Sequence, residues 1–312
     1  MPLDSLFKKR IVLVTGKGGV GRSSVTAALA HSAKGRGIRV LVSEIGDDPE
    51  DYSPLGRYFG RDRLPKADEE LSPGIRGVLL LARTGQELFL RSSLHSATLA
   101  RAALSSDALR RLLSAGPSFR EMGVFFQLLN YLRRTRRDGE PEHQLILVDM
   151  PATGHTLSLT GLPDLLLRLV PRGPIAQALR EGQSYLNDPD RAAAWVVTLP
   201  ETLPVSEALE LLAGLRHTAM PIGGVLLNRV PVDPFTAAER AALKPILAGS
   251  DILGAEGFRR PELAHRETSR LRAGTTLPIY AVPELPHASL VASMCAEIDG
   301  ARPLPTRVSI RP

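Results

Sequence analysis

A glycine-rich segment near the amino terminus has the residue types that bind phosphate. It follows an apolar run and consists of Gly16, Lys17, Gly18, Gly19, Val20, Gly21, Arg22, Ser23 and Ser24. Its spacing fits the phosphate-binding loop G-x-x-x-x-G-K-[ST], except that Arg22 replaces the lysine. Glycines let backbone N–H groups approach a phosphate, and the helix that follows adds partial positive charge. We therefore expect these residues to bind ATP or ADP, with the Ser23 hydroxyl as a Mg²⁺ ligand.

An acidic residue ends a second apolar run, Leu145 to Asp149. In phosphate-loop enzymes, a carboxylate at the end of a buried strand beside the loop holds Mg²⁺ through a bound water. Asp149 has the sequence context for this role. The segment after it reads Met150-Pro151-Ala152-Thr153-Gly154-His155-Thr156-Leu157. Asp149 is thus the second predicted metal ligand and a candidate catalytic residue.

These two segments together resemble one branch of the dimeric P-loop ATPases with a signature lysine. Lys17 occupies the signature position of the deviant loop, and the stretch from Asp149 resembles D-T-A-P-T-G-H-T-L, the switch II of arsenical-pump and tail-anchored-protein targeting ATPases. Only Met150, Pro151 and Ala152 depart from that pattern. The resemblance implies a bacterial single-domain ATPase that dimerises around ATP, with Lys17 reaching the partner's nucleotide.

Shorter matches extend the resemblance over about residues 10–300 of the chain. Residues 115–121 loosely resemble a P-G-x-x-E stretch of the family's helical subdomain, and residues 200–208 resemble its P-E-x-x-P-x-x-E-A segment. By resemblance, Asn228 reads the adenine edge and Arg229 follows it. The loop containing Pro283, Glu284 and Leu285 would cover the adenine.

The sequence departs from the family at three places. Arg22 can clamp phosphate, but it is bulkier than lysine and its charge is spread over a plane, which predicts weak hydrolysis. The family's switch I aspartate, which orients water, has three candidates here, Glu44, Asp47 and Asp48; Asp48, which precedes Pro49, imitates the motif about three residues late. The metalloid-binding cysteines and the zinc-binding C-x-x-C pair are absent, so neither a metalloid site nor a zinc site is expected.

The elements that must position these residues alternate along the chain. Apolar runs predict seven strands, at 11–15, 39–43, 78–82, 145–149, 194–199, 222–227 and 279–282. Helical spacing follows several of them, as in Ser23 to Lys34 and Val205 to His217. The alternation predicts an α/β fold of the P-loop NTPase class, with a mostly parallel sheet covered by helices on both faces.

One domain is expected to span residues 1–312, with two local features. Residues 83–140 are too long for a simple crossover and predict an inserted helical subdomain. Its closing arginines, 133, 134, 136 and 137, are interpreted as a solvated helix end, with anion binding as the alternative. Residues 303–312 predict a loose C-terminal tail.

Composition excludes several functional classes. The chain has 43% hydrophobic and 23% charged residues, as globular proteins do, and its single cysteine, Cys295, rules out an internal disulfide framework. No apolar run is long enough for a transmembrane segment and the first ten residues lack a signal-peptide core, so a cytoplasmic location is expected. The net charge of +6 permits a nucleic-acid partner, but partition ATPases lack the T-G-H-T segment.

Three functions remain open at this stage. The first is an ATPase of the arsenical-pump type that acts on a partner or protein client through nucleotide-driven closure of a homodimer, or of a heterodimer with a paralogue. The second is a non-hydrolysing nucleotide switch or a degenerate subunit of a heterodimer, favoured by Arg22 and the altered switch I. The third is a partition-type ATPase that associates with DNA through its arginines.

Overall fold

The computed structural model of the chain describes residues 2–93, 117–151, 153–169, 171–172, 174–247 and 255–305. Eight strands form a single sheet. They are β1 (Ile11–Gly16), β2 (Val40–Gly46), β3 (Glu69–Ser72), β4 (Ile75–Leu81), β5 (Leu145–Asp149), β6 (Ala192–Thr198), β7 (Ile222–Val230) and β8 (Ile279–Pro283).

The strands lie in the order β3-β4-β2-β5-β1-β6-β7-β8. All neighbouring pairs are parallel except β3 and β4, which are antiparallel at one edge. The predicted α/β fold with a mostly parallel sheet is therefore confirmed. In such a sheet the carboxyl ends of the parallel strands share one edge, and loops at that edge form ligand sites.

Helices cover both faces of the sheet. Within the described ranges they are α1 (Pro2–Leu6), α2 (Arg22–Gly35), α3 (Ala82–Ser93), α4 (Pro117–Arg133), α5 (Thr153–Leu169), α6 (Pro174–Leu186), α7 (Thr202–Arg216), α8 (Ala237–Leu247), α9 (Ala255–Gly274) and α10 (Leu290–Gly300). Buried side chains of α1, α2 and α10 form one apolar layer with the sheet. Those of α4, α5, α6, α7 and α9 form the layer on the opposite face.

The region proposed as an inserted subdomain, 83–140, is described in part. Within it, α4 places Val124, Phe125 and Leu128 in the same apolar layer as the central strands. The Gln127 side-chain oxygen also accepts a 2.8 Å hydrogen bond from the Leu81 N–H at the end of β4. This helix therefore covers the sheet directly, and residues 94–116, which contain most of the proposed insert's middle, lie outside the described residues.

Only the first three residues of the loose tail expected at 303–312 are described. The Leu304 N–H donates a 2.8 Å hydrogen bond to the Ile279 carbonyl, and Pro303 forms a bridge with Tyr280 of β8. Residues 303–305 are thus attached to the sheet edge, because β8 is the last strand and offers free backbone groups. Residues 306–312 lie outside the described part.

Among the described helices, none combines the length and the apolar composition needed to cross a membrane.

Candidate nucleotide site

The glycine-rich loop lies between β1 and α2, where the sheet leaves little space. Gly16 has φ +150°, and a side chain on it would lie 2.2 Å from the Val197 carbonyl of β6. Gly21 has φ +90°, and its added carbon would lie 2.4 Å from the Asn228 amide nitrogen. L-residues rarely adopt such positive φ angles, so glycine lets the loop turn sharply against β6 and β7.

Ser23 and Asp149 meet at the carboxyl end of the central strands. The Ser23 hydroxyl, in the first turn of α2, donates a 2.5 Å hydrogen bond to Asp149 Oδ2 at the end of β5. Asp149 is only 4% exposed, and its Oδ1 is buried without a hydrogen-bond partner among the described residues. Burial raises the pKa of the Asp149 carboxyl to about 7, although the bond from Ser23 and the charge of Arg22 lower it.

This pair fits a magnesium ion. Mg²⁺ prefers oxygen ligands and keeps several waters, so one hydroxyl and one nearby carboxylate form a sufficient protein contribution. The unpartnered Asp149 Oδ1 supplies the hydrogen-bond acceptor that a metal-bound water needs. The donor set therefore agrees with the role expected for both residues, which stays a prediction.

Arg22 lies near two carboxylates, those of Asp149 and Glu44, at the base of the site. Its guanidinium donates a 3.1 Å hydrogen bond to the Gly16 carbonyl. Burial lowers the pKa of the guanidinium, while the charges of Asp149 and Glu44 raise it. Part of the positive charge of Arg22 is thus used to balance acidic neighbours of its own chain.

Glu44 lies beside Asp149, because the two residues are in register on the paired strands β2 and β5. Glu44 Oε2 accepts hydrogen bonds from the Ser53 hydroxyl at 2.9 Å and from the Leu55 N–H at 3.1 Å. Burial raises the pKa of the Glu44 carboxyl, against these two bonds and the charge of Arg22. Of the three acids considered from the sequence, Glu44 is the one in electrostatic contact with Arg22 and Asp149.

The other two acids are engaged elsewhere. Asp48 is exposed, and its carboxylate accepts a 2.8 Å hydrogen bond from the Glu50 N–H within its own turn. Asp47 forms an ion pair with Arg120 at the start of α4. The catalytic role expected of Asp48 therefore lacks geometric support, since the turn holds its carboxylate locally.

Lys17 forms an ion pair within the chain. Its ammonium lies 2.6 Å from Glu207 Oε1 of α7, and the Lys17 side chain is 50% exposed. The sequence places Glu207 in the segment resembling P-E-x-x-P-x-x-E-A, but spacing alone gives no reason to pair it with Lys17. The contact arises because β1 and β6 are neighbours, so the loops after them adjoin.

A cavity of about 140 Å³ opens where β7 and β8 end. Asn228, Arg229, Pro283, Glu284 and Leu285, all expected to contact the base, are among its lining residues. The Asn228 side chain donates a 2.9 Å hydrogen bond to the Val20 carbonyl, and its oxygen accepts one from the Arg229 N–H. Each of these amide atoms retains further hydrogen-bonding capacity. The structure thus brings the predicted base-binding residues together and joins them to the phosphate loop.

Sequence reasoning missed a contact that fixes the start of α5. Thr15, before the loop, and Thr156 are fully buried, and their hydroxyl oxygens lie 2.7 Å apart. The only signal was the Thr153–Thr156 match to switch II. Ala152 lies outside the described residues, and the side chains of residues 153–155 are likewise undescribed.

Comparisons with known proteins agree with this geometry. Residues 11–270 match the family model described as the CobQ/CobB/MinD/ParA nucleotide binding domain. The chain is 30% identical to ATPase BagA of Mycobacterium tuberculosis, over 88% of this chain and 86% of that protein. It is 26% identical to a putative arsenical pump-driving ATPase 2 of Aquifex aeolicus, over 76% of this chain and 87% of that protein. It is also 25% identical to an arsenical pump-driving ATPase of Escherichia coli, over 80% of this chain and 39% of that protein.

Proposed function

This chain belongs to the CobQ/CobB/MinD/ParA family of nucleotide-binding proteins, in the arsenical-pump ATPase group, and on that premise we propose that it is a slow, Mg²⁺-dependent ATPase that dimerises around its nucleotide. Closure of the dimer presents a surface to a protein client. The observation that carries the proposal is the hydrogen bond from the partly buried Ser23 to the buried Asp149, whose other carboxylate oxygen is unpartnered. This pair lies beside a loop in which Gly16 and Gly21 leave no room for a side chain.

The residues of the site have distinct roles in this proposal. Backbone N–H groups of 18–24 bind the phosphates, and Arg22 and Lys17 add positive charge. Ser23 and, through water, Asp149 hold Mg²⁺, which supplies charge stabilisation to the phosphates. Asn228 and the loop at 283–285 bind the base. The reaction is in-line attack of water on the γ-phosphate.

We assign the orientation of the attacking water to Glu44 rather than Asp48. Glu44 lies within β2, in register with Asp149 of β5, and both of its hydrogen bonds go to Oε2. Its other oxygen therefore keeps accepting capacity toward a water. The raised pKa of this buried carboxyl also suits a group that accepts a proton.

The second candidate function is a nucleotide switch with negligible hydrolysis. Arg22 favours it, because its guanidinium is hydrogen-bonded to the loop's own Gly16 carbonyl and faces two acids. A lysine in that place would put a compact charge between the phosphates. The DNA-associated alternative gains no support, since Arg133, Arg134 and Arg136 form ion pairs with Glu181, Asp68 and Asp138.

Exposed apolar side chains support the proposed dimer. Four large hydrophobic residues are more than half exposed in the described part of the chain: Tyr52, Leu203, Val232 and Ile246. The first three follow the carboxyl ends of β2, β6 and β7, at the edge that also contains Lys17. A partner seated on this edge would cover them.

Steady-state ATP hydrolysis by two matched variants tests the proposal. Glu44→Gln should lower kcat on the order of 100-fold by removing a proton acceptor. Asp48→Asn, the matched control, should leave kcat within about twofold, as exposed substitutions do. Mg²⁺-dependent ATP binding without turnover in the unaltered protein would instead select the switch, and absence of ATP binding would contradict both functions.

A further inference from the structure

The phosphate loop has a facing wall built by the segment that follows β2. Gly21, Arg22 and Ser23 line one side of a cavity of about 310 Å³, and Tyr52, Pro54 and Arg57 line the other. Arg57 belongs to a short 3₁₀ helix, Gly56–Phe59. Neither the phosphate-loop motif nor the resemblance places a ligand at this helix.

Charge in this cavity is unevenly balanced. Arg22 is near Asp149 and Glu44, and Lys17, which lies on the same loop but outside the cavity lining, is paired with Glu207. Arg57 and Arg229 also line the cavity, and neither guanidinium has a carboxylate within 4.0 Å among the described residues. These two arginines therefore supply the uncompensated positive charge that a polyphosphate requires.

The Arg57 helix is fixed to the acid at the base of the site. Glu44 accepts from both the Ser53 hydroxyl and the Leu55 N–H. The Gly56 N–H in turn donates a 2.8 Å hydrogen bond to the Ser53 hydroxyl, and the Leu55 side chain is fully buried. The backbone that carries Arg57 is thus positioned before any ligand binds, which lowers the entropic cost of using its guanidinium.

Arg229 approaches the same cavity from β7. Its φ is +53°, and among the residues that the structure describes it is the one non-glycine residue with a positive φ. The Asn228 side-chain oxygen accepts a hydrogen bond from the Arg229 N–H, and this bond helps maintain the left-handed backbone of Arg229. Strained backbone of this kind persists where surrounding contacts enforce it, and here it directs Arg229 to both the base cavity and the phosphate cavity.

We propose that Arg57 is a phosphate-binding residue, which holds the polyphosphate of the nucleotide from the wall opposite the loop and acts together with Arg229. The inference rests on the proposed nucleotide function and extends it to a residue outside the motif. Guanidinium suits this role because its planar fork makes two charge-assisted hydrogen bonds to phosphate oxygens.

Calorimetric titration of the full chain with ATP, ADP and adenosine, each with Mg²⁺, tests the inference. Arg57→Ala should weaken ATP binding on the order of tenfold and ADP binding less, because fewer phosphates remain. Adenosine binding should be unchanged. Arg57→Lys, which keeps the charge and loses the fork, should lie between Arg57→Ala and the unaltered protein.

Arg63→Ala is the matched control. Arg63 lies on the same segment, is exposed and pairs with Glu50 outside the cavity, so its loss should change ATP affinity by no more than about twofold. Equal ATP affinities for Arg57→Ala and Arg63→Ala would overturn the role of Arg57 and leave the proposed function intact. Failure of the unaltered protein to bind ATP would overturn the proposed function, and the inference with it.

Discussion

Burial of the Asp149 carboxyl beside Ser23 has an energetic consequence for the ligand-free protein. The carboxyl has a pKa of about 7 in the fold, well above the value of about 3.9 in an unfolded chain. At pH values between these two pKa values, the folded state binds more protons than the unfolded state, so the stability of the folded protein falls as pH rises. Above about pH 7 this loss is complete.

We therefore expect Asp149→Asn to stabilise the nucleotide-free protein at high pH. The amide keeps an acceptor for the Ser23 hydroxyl but has no charge to bury. The free energy of unfolding of Asp149→Asn, minus that of the unaltered protein, should increase by about 2 kcal/mol between pH 5.5 and 8.5. Urea unfolding of both proteins, without Mg²⁺, measures this, and a pH-independent difference would contradict the raised pKa.

Arg22 is the residue at which binding and catalysis should separate. We expect it to hold ground-state phosphates, yet its hydrogen bond to Gly16 and its attraction to Asp149 and Glu44 restrain it from following the departing γ-phosphoryl group. Catalysis requires contacts that are stronger in the transition state than in the ground state.

Arg22→Lys should accordingly raise the rate of hydrolysis and leave ATP affinity nearly unchanged. A tenfold rise corresponds to ~1.4 kcal/mol of activation free energy. Single-turnover hydrolysis at saturating ATP and Mg²⁺ compares the two proteins directly. Equal or slower hydrolysis by Arg22→Lys would show that another feature, such as the altered segment after β2, limits the reaction.

At the scale of elements, the loop between β1 and α2 depends on backbone that other residues cannot adopt. We expect Gly21→Ala to lower the Tm of the ligand-free protein by about 2 °C or more, through positive-φ strain and the clash with Asn228. Gly18→Ala is the matched control, because Gly18 lacks the positive φ and its added carbon would meet nothing within 4 Å.

Thermal unfolding of both variants without nucleotide separates the two cases. The Gly18→Ala protein should unfold at or near the temperature of the unaltered chain, since open space and ordinary φ angles tolerate alanine. Equal destabilisation by the two substitutions would show that neither the positive φ of Gly21 nor its contact with Asn228 makes glycine necessary there.

Most of the sheet could be predicted from the sequence, because its central strands are buried on both faces and appear as continuous apolar runs. β5 matches the predicted range of 145–149. β3 could not be predicted: Glu69, Glu70 and Ser72 are polar or charged, as an antiparallel edge strand permits. Its pairing depends on β4, not on any pattern of its own.

Site residues that belong to a motif could be predicted from the sequence. Site residues whose position depends on how a loop folds could not. Ser23 and Asp149 meet because the ends of adjacent strands must meet. The choice between Glu44 and Asp48 depended on how the residues after β2 fold back, with Ser53 and Leu55 binding Glu44. The pairing of Lys17 with Glu207 spans most of the chain and leaves no local signal.

At the scale of the whole molecule, the edge of the sheet that contains the site also has the features of an interface. Tyr52, Leu203 and Val232 are 56%, 66% and 72% exposed. Lys17 lies at the same edge and is held by Glu207. An ion pair whose lysine is half exposed stabilises by about 0–1 kcal/mol, so we expect a partner's phosphates, with several negative charges, to displace Glu207.

We therefore expect ATP to convert the protein to a dimer through Lys17. With Mg²⁺ and ATP the molar mass from light scattering should double, and Lys17→Ala should remain monomeric because the partner's phosphates lose a cation. Lys34→Ala, which removes a lysine in the last turn of α2, is the matched control and should dimerise normally. Glu207→Gln frees Lys17 and should lower the ATP concentration needed for half-dimerisation by no more than about fivefold, the equivalent of one exposed ion pair. A mass that nucleotide never changes, or normal dimerisation of Lys17→Ala, would contradict the cross-subunit role of Lys17.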